Sequence, residues 1–182
     1  ESMSNAPHFV RRARRGEEVS YAALESVLVH DGLKDAYTGE AMGNAGETIA
    51  GEHSISREQS DAFAIRSHAL ANKAWDEGWL DKESFPVGGL ERDEGIRPDS
   101  SMDSLSGLRT VFSDGGQITA GNSSQVSDGA SAVLVASEEA AEEHGLPVLA
   151  RIIDYATSGV ESHRVMSAPI PTVRNLLKRN GM

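Results

Sequence analysis

The sequence predicts an α/β protein that is mainly helical before residue 125. Three observations carry this prediction. Residues 54–80 show the pattern of a long amphipathic helix. From residue 131 on, a short apolar run, a helix pattern, a second apolar run and a second helix pattern follow one another, which is typical of α/β architecture. The 182 residues, 38 % of them hydrophobic, suffice for one substantial core or two small ones.

Two helices are predicted before residue 54. In residues 20–33, "SYAALESVLVHDGL", apolar side chains recur at helical spacing up to Gly32, namely at Leu24, Val27 and Leu28. In residues 42–53, "MGNAGETIAGEH", Asn44 precedes Glu47 by three residues, which is a capping pattern. The glycines in this second stretch predict that its helix is short.

The long helix has start and stop signals at both ends. Ser56 and Gln59 form a capping box, and Gly78 ends the pattern. Residues 85–101 are rich in Gly, Pro and charge and predict a loop. After one or two helical turns in residues 101–108, the stretches "TVF" and "QIT" predict extended chain.

The last third supplies the strand and helix alternation. "SAVLVAS", residues 131–137, predicts a strand that is buried on both faces. Ser137 then caps a helix that ends before Gly145. Residues 148–160 predict a second strand, and the final helix lies in residues 169–182, with basic residues in its last turn.

Charge and composition exclude several kinds of partner. The net charge of −11 makes nucleic acid and anionic membranes poor partners. We interpret "RRARR", residues 11–15, as a solvated loop or interface arm, with a polyanion patch as the alternative. No apolar run is long enough to cross a bilayer, and the N-terminus lacks the apolar core of a signal peptide. We therefore expect a soluble, cytoplasmic protein without nucleic-acid or membrane partners.

The common catalytic motifs are missing from the sequence. The chain has no cysteine, which excludes thiol catalysis and thiolate metal sites within it. Its histidines lack paired-ligand spacing, so we predict no metal site. "GNSSQ" is not the serine-hydrolase elbow, and neither phosphate-loop motif occurs.

The stretch "GGQITAGNSSQVSDGASAVLVAS", residues 115–137, is the strongest local signal. Residues 120–124 carry small side chains that would let a ligand lie close against the main chain. Their amide and hydroxyl groups could bond to amides or hydroxyls of that ligand. A turn with a helix cap that leads into a strand is the alternative interpretation.

Four stretches in order resemble the thiolase family. Residues 115–152, "GGQITAGNSSQVSDGASAVLVASEEAAEEHGLPVLARI", are similar to the family's signature region. "ESMSNAPH", "MGNAGETIA" with "ISREQSDAFAIRSHALANKA", and "GIRPDSSMDSLSGLR" match in the same order. The resemblance covers essentially the whole chain and implies a central fragment of the α/β thiolase fold.

The resemblance also implies a domain division. Residues 1–124 are similar to the loop domain that covers coenzyme A, 125–145 to a strand and helix that return to the N-terminal core, and 146–182 to the start of the C-terminal core. The two core pieces would lack most of their sheet partners. We therefore expect exposed apolar faces and poor stability without the remainder of the core.

The implied activity is acyl transfer, in which a 3-ketoacyl-CoA is cleaved with coenzyme A or two acyl-CoA molecules condense. The family's nucleophilic cysteine and its downstream NEAFA, GHP and C-x-G-G-G motifs do not occur in this sequence. We therefore assign no catalytic residue and expect activity only as part of a complete, homo-oligomeric thiolase. Coenzyme A would be a substrate, without a permanently bound cofactor. The alternative is a non-catalytic module that binds coenzyme A or acyl-CoA.

The resemblance implies six residues that contact coenzyme A. Ala120 and Ser124 match positions beside the pantetheine arm. Arg97 matches a basic contact near the adenosine end, Ser104 a polar neighbour, and Phe112 and Leu33 apolar positions. Alternatives remain for three of them: Phe112 as plain core, Ser104 as a solvated helix residue, and Arg97 as a structural ion-pair partner.

The acyl pocket is expected at Met42 and Gly43 and at Met166, with Val165 as the alternative because the resemblance does not fix the register there to within one residue. Biosynthetic family members carry His where this chain has Ala41, which favours other or longer acyl chains. Ser167 and Ala168 replace the usual glycines of a family turn.

Overall fold

Helices dominate the described part of the fold. A computed structural model describes residues 1–11 and 14–182, so that Arg12 and Ala13 of the basic cluster lie outside the described residues. The elements in chain order are β1 (His8–Phe9), β2 (Glu25–Ser26), α1 (Met42–Glu52), α2 (Arg57–Asp76), α3 (Met102–Ser106), α4 (Glu138–Glu143) and α5 (Pro169–Arg179). Two 3-10 segments span Tyr21–Ala23 and Ser162–Ser167, and a π-helical turn spans Leu28–Gly32.

Helix α2 forms as its local signals predict. The Ser56 hydroxyl accepts a hydrogen bond from the Gln59 amide at 3.2 Å, and the Gln59 side chain accepts one from the Ser56 amide at 2.8 Å. The helix ends at Asp76, and Gly78 follows with φ of 71°. The predicted capping box and the stop at the glycine are both confirmed.

Helix α1 forms, but its predicted cap is wrong. The helix already begins at Met42 after Ala41, so Asn44 and Glu47 both lie inside it. The Glu47 carboxylate instead accepts hydrogen bonds from the amides of Gln117 at 3.0 Å and Ile118 at 2.9 Å. The local pattern predicted that the Glu47 side chain caps the helix start. Its carboxylate instead binds backbone amides of a stretch that is distant in sequence.

The predicted helix in residues 20–33 is also wrong. This stretch forms the first 3-10 segment, β2 and the π-helical turn. β2 pairs antiparallel with β1, with His8 opposite Ser26 and Phe9 opposite Glu25. This pairing prevents the helix that the spacing of the apolar residues predicts, because tertiary contacts override local propensity.

The middle of the chain agrees with the prediction. α3 begins at a Ser101 cap, and Leu105 within it is buried. The described stretches after it form no strand, but they meet in one isolated antiparallel bridge between Thr110 and Thr119. α2 packs against α3, while α1 packs against the 3-10 segment Ser162–Ser167.

The two predicted strands of the last third are not formed within the described residues. Residues 131–137 and 148–160 contain no strand. Instead of being buried on both faces, Val133 is 86 % exposed and Leu149 is 95 % exposed. Among the described residues neither stretch pairs with another strand, and an apolar run without a sheet around it is not buried on both faces. The expected exposure of apolar faces is confirmed.

The two helices of this region are confirmed. The Ser137 hydroxyl accepts from the Ala140 amide at 3.2 Å to cap α4, and Gly145 follows the helix with φ of 62°. α5 is tied to the preceding segment by Asp154. That carboxylate accepts hydrogen bonds from Arg179 Nε at 2.7 Å and from the Asn180 amide group at 2.8 Å.

The N-terminal residues lie against residues 127–129. The Met3 amide donates to the Ser127 carbonyl at 3.3 Å, and the Ser4 amide donates to the Asp128 carboxylate at 3.0 Å. The Ser4 hydroxyl and amide hold the pKa of Asp128 below its usual value. The chain between these residues therefore starts and ends at one place.

Gly43 on α1 lies under the Phe112 ring, which a methyl group at this position would overlap. We expect Gly43→Ala in the full-length protein to destabilise the fold by about 1–3 kcal/mol through overpacking. Gly51 on the same helix has nothing within 4 Å of its missing Cβ. Gly51→Ala should therefore stabilise by about 0.5–1 kcal/mol. Urea unfolding of both variants measures this, and equal effects would contradict the assigned Gly43–Phe112 contact.

Hydrogen bonds from Arg179, and then from Asn180, lower the pKa of Asp154 from its ordinary 3.8 to about 2. Because the folded pKa is depressed, the stabilisation is present above about pH 3.8 and is lost as the pH falls towards 2. An NMR titration of the carboxyl group measures this. Arg179→Ala should return the pKa towards 3.8, and a wild-type group that already titrates there would refute the pairing.

Candidate functional site

The loop at residues 119–124 is held in place by a buried carboxylate on α2. Asp61 is 1 % exposed. One of its oxygens accepts from Arg57 Nε at 2.7 Å, and the other accepts from the Asn122 side-chain amide at 2.8 Å. A charge this deeply buried is stable only when paired and hydrogen-bonded, and both conditions are met.

Asn122 uses its side chain entirely within the protein. Its amide nitrogen also donates to the Gln117 carbonyl at 2.9 Å, and its oxygen accepts from the Thr119 amide at 2.8 Å. The Ser123 hydroxyl likewise donates to the Thr119 carbonyl at 2.6 Å. The interpretation of these two side chains as ligand contacts is corrected here, since they order the loop itself.

Gly121 has no room for a side chain, because it packs against α3 and the turn that follows it. A methyl group on Gly121 would lie 2.7 Å from Leu108 Cδ1 and 3.0 Å from Leu105 Cγ. These distances are shorter than carbon atoms in contact adopt. Residues 121–123 therefore form the turn of the alternative interpretation, but among the described residues no helix begins there and no strand follows. Ala120 and Ser124 are exposed on either side of them.

The other residues expected near coenzyme A lie on separate segments. Arg97 is exposed; its Nη1 donates to the Glu94 carbonyl at 2.6 Å, and its backbone amide donates to His68 Nδ1 at 3.2 Å. Ser104 is exposed in the first turn of α3, where its hydroxyl donates to the Ser101 carbonyl at 2.9 Å.

The two expected apolar contacts are half-buried at α1. Phe112 covers Gly43, and the Leu33 carbonyl accepts a hydrogen bond from the Met42 amide at 2.9 Å. The structure therefore brings Phe112 and Leu33 to the same helix that carries the expected acyl-pocket residues.

A cavity of about 190 Å³ opens beside the start of α1. Met42 and Ala41 line it from the helix, and Val165 lines it from the 3-10 segment. Met166 instead lies against the helix, with its sulfur 3.7 Å from where a Cβ on Gly46 would be. The other residues that line the cavity are Lys34, Asp35, Ala36, Tyr37, Glu40, Ala45, Ser162 and His163.

Asp35 brings a negative charge to the wall of this cavity. Its carboxylate accepts hydrogen bonds from the amides of Thr38 at 3.0 Å and Tyr37 at 2.7 Å. The bond from Thr38 first, then that from Tyr37 and the nearby Ser162 hydroxyl, lower the pKa of Asp35. This carboxyl is therefore ionised at neutral pH.

Sequence reasoning missed both acids. Asp61 could have been found as half of an ion pair, because Arg57 precedes it by four residues on a predicted helix. Its bond to Asn122 spans 61 positions of sequence and has no local signal. Asp35 followed by Gly39 is compatible with a turn, but nothing local connects that turn with Ser162.

Within residues 1–11 and 14–182, no three metal-binding side chains come together. In the same part of the chain, every helix is too short or too polar to traverse a lipid bilayer.

The comparisons with known proteins agree in one family. The profile of the thiolase N-terminal domain matches residues 1–139. A probable acetyl-CoA acetyltransferase of Escherichia coli is 39 % identical over all of this chain and 48 % of its own length. The mitochondrial 3-ketoacyl-CoA thiolase of Bos taurus is likewise 39 % identical, over all of this chain and 48 % of its own length.

Solved structures show the same relationship. The crystal structure of human mitochondrial 3-ketoacyl-CoA thiolase in complex with CoA is similar to the whole chain, with a TM-score of 0.90 and 35 % identity, and 47 % of it is covered. The chain thus spans about half the length of the curated relatives it matches. Its fold is a part of the α/β thiolase fold, and the chain belongs to the thiolase family.

Proposed function

We propose that this chain forms the coenzyme-A-binding part of a thiolase, an acyltransferase that cleaves 3-ketoacyl-CoA with coenzyme A or condenses two acyl-CoA molecules. One observation carries the proposal: the whole chain is similar, at a TM-score of 0.90, to a thiolase solved with CoA. Superposition at this level with 35 % identity supports a shared site as well as a shared fold.

The pantetheine arm would lie along the outer side of the 119–124 loop. The arm is flexible and contains amides, so it fits a narrow surface of small side chains with main-chain hydrogen-bonding groups. Ala120 and Ser124 supply such a surface, because they are exposed while residues 121–123 bond inward. The firm inner contacts of the loop support this assignment, since they leave its outer side free.

The adenosine end would lie near Arg97 and Ser104. Arg97 offers a fork of donors to phosphate or adenine in a chain of net charge −11. Its guanidinium is exposed and bonds only to carbonyls of its own loop through Nη1, so it can turn to a ligand without breaking an ion pair. Phe112 and Leu33 would contribute apolar contacts beside α1.

The acyl group would enter the cavity beside α1. Met42 and Val165 line that cavity, and Gly43 keeps Phe112 close to the helix. Met166, the residue expected there with Val165 as its alternative, packs beside Gly46 instead. Ala41 leaves room where biosynthetic members carry His. We propose that the substrate is therefore a 3-ketoacyl-CoA other than, or longer than, acetoacetyl-CoA.

The reaction needs groups that these residues do not include. A carbon–carbon bond beside a thioester breaks when a soft nucleophile attacks and the departing enolate is stabilised. The 182 residues hold no cysteine, so the thiol nucleophile must come from elsewhere in a complete thiolase core, which we propose to be a homo-oligomer. We further propose the division into 1–124, 125–145 and 146–182, supported by the meeting of residues 1–4 with 127–129.

The same lack of cysteine favours a second candidate, a module that binds coenzyme A or acyl-CoA without catalysis. The two candidates differ in one measurement. Both predict binding of CoA in calorimetry, whereas only a thiolase releases acetyl-CoA from 3-ketoacyl-CoA when CoA is added to the full-length protein.

Arg97→Ala should weaken CoA binding by about tenfold, since a hydrogen bond from a charged group contributes roughly 1.5–3 kcal/mol and an exposed one lies at the lower end. Titration calorimetry on the full-length protein measures the change. Arg174→Ala is the matched control, because it removes the same charge from an exposed position of α5. Equal affinities for both variants would remove Arg97 from the site.

Ala41→His should reduce the volume of the cavity that Ala41 lines. We expect kcat/KM for a medium-chain 3-ketoacyl-CoA to fall by about tenfold relative to acetoacetyl-CoA, because the loss of one methylene contact is worth about 1–3 kcal/mol. Ala69→His, at an exposed position of α2, is the control. A chain-length preference that did not change in the Ala41 variant would place the acyl group elsewhere.

A further inference from the structure

We propose that the Arg57–Asp61 pair of α2 is a positioning device for the pantetheine arm of coenzyme A, acting through Asn122. The proposal rests on the function proposed above. Neither Arg57 nor Asp61 needs to touch the ligand. Their role is to fix the loop whose exposed side carries Ala120 and Ser124.

The first step is the burial of the pair. The side chain of Asp61 is 1 % exposed and that of Arg57 is 21 % exposed. Removing a carboxylate from water is costly, and a stable fold retains it only with full compensation. Asp61 receives that compensation from two sides, from Arg57 at 2.7 Å and from Asn122 at 2.8 Å.

Several segments of the chain meet at this pair. Arg57 Nη2 donates to the Leu105 carbonyl and, at 3.3 Å, to the Leu108 carbonyl. One guanidinium thus connects α2 with both ends of the turn that follows α3. Gly121 packs directly on the leucines of that turn.

The third step is the orientation of Asn122. Its amide nitrogen donates to Asp61 and to the Gln117 carbonyl, so its oxygen must face the Thr119 amide, which donates to it at 2.8 Å. Asp61 accepts but cannot donate, and this fixes which way the amide of Asn122 points. Thr119, which is fully buried, is thereby locked at the start of the loop.

The consequence concerns the outer side of the loop. A binding surface made of main-chain groups and short side chains has no long side chains that could adjust to a ligand. Its positions must be held to within a fraction of an ångström by the residues behind it. The pair and Asn122 are the groups that do this for residues 119–124.

A second ion pair, at the C-terminal end of the same helix, serves as a comparison. Lys73 and Glu77 also lie four residues apart, in the same order of charges, but their side chains are 56 % and 45 % exposed and 3.7 Å apart. Exposed pairs of this kind contribute little. Glu77→Gln is therefore the matched control for Asp61→Asn.

The experiment compares two thiol acceptors in thiolysis by the full-length protein, with one 3-ketoacyl thioester of N-acetylcysteamine as the acyl donor. Coenzyme A carries the whole pantetheine arm, whereas N-acetylcysteamine carries only its end. We expect Asp61→Asn to raise KM for coenzyme A about tenfold with kcat preserved. Its kcat/KM for N-acetylcysteamine should stay within about twofold of wild type. Loss of stability alone would lower both activities together.

Asn122→Ala is the second variant, because it leaves the Arg57–Asp61 pair intact should Asp61→Asn fail to fold. It should show the same defect, confined to coenzyme A, and the double variant should be no worse than either single one, since both act through one chain of contacts. Unchanged KM for coenzyme A in these variants, or equal loss with both thiols, would overturn the positioning role and leave the proposed function standing. A wild-type protein that neither binds nor uses coenzyme A would overturn both.

Discussion

The inner part of this structure depends on keeping one carboxylate away from water. Asp61 is placed by a well-capped helix at a depth where an unpaired charge would be intolerable, so it requires donors from its own helix and from the loop at 119–124. The guanidinium of Arg57 and the amide of Asn122 satisfy both oxygens. The turn after α3 and the loop at 119–124 are arranged around that demand. A polar requirement, more than apolar burial, thus determines how the middle of the chain is folded.

Elements with local signals could be predicted, and elements that depend on distant partners could not. α2 and α4 carry serine caps and glycine stops within their own sequence, α5 carries prolines at its start and basic residues in its last turn, and each of the three helices forms. In residues 20–33 apolar side chains recur at helical spacing. Part of this stretch nevertheless forms β2, because it pairs with β1, which lies more than ten positions earlier in the sequence. Residues 131–137 read as a buried strand because of their apolar side chains, yet burial needs neighbours that the described residues do not provide. The apolar content of a segment indicates that it requires burial, and only the assembled fold shows whether other segments bury it.

The candidate site shows the same limit at the level of single residues. Small residues in "AGNSS" predicted a surface for a ligand, but Gly121 is small because Leu105 and Leu108 occupy the space where its side chain would be. Gly43 is likewise small because of Phe112. A missing side chain looks the same in sequence whether a ligand or a neighbouring side chain fills the space. The two alternatives separate only when the neighbours are known, as they now are for residues 121–123.

The meeting of residues 1–4 with 127–129 has a consequence for how such a chain can change over evolutionary time. A segment whose two ends are held together can gain or lose residues in its surface loops without separating those ends. The entropy of closing a flexible loop grows slowly, by about 0.6 kcal/mol for each doubling of length, so insertions there cost little. Selection can therefore alter the length of surface loops between residues 4 and 127 while these two positions stay together.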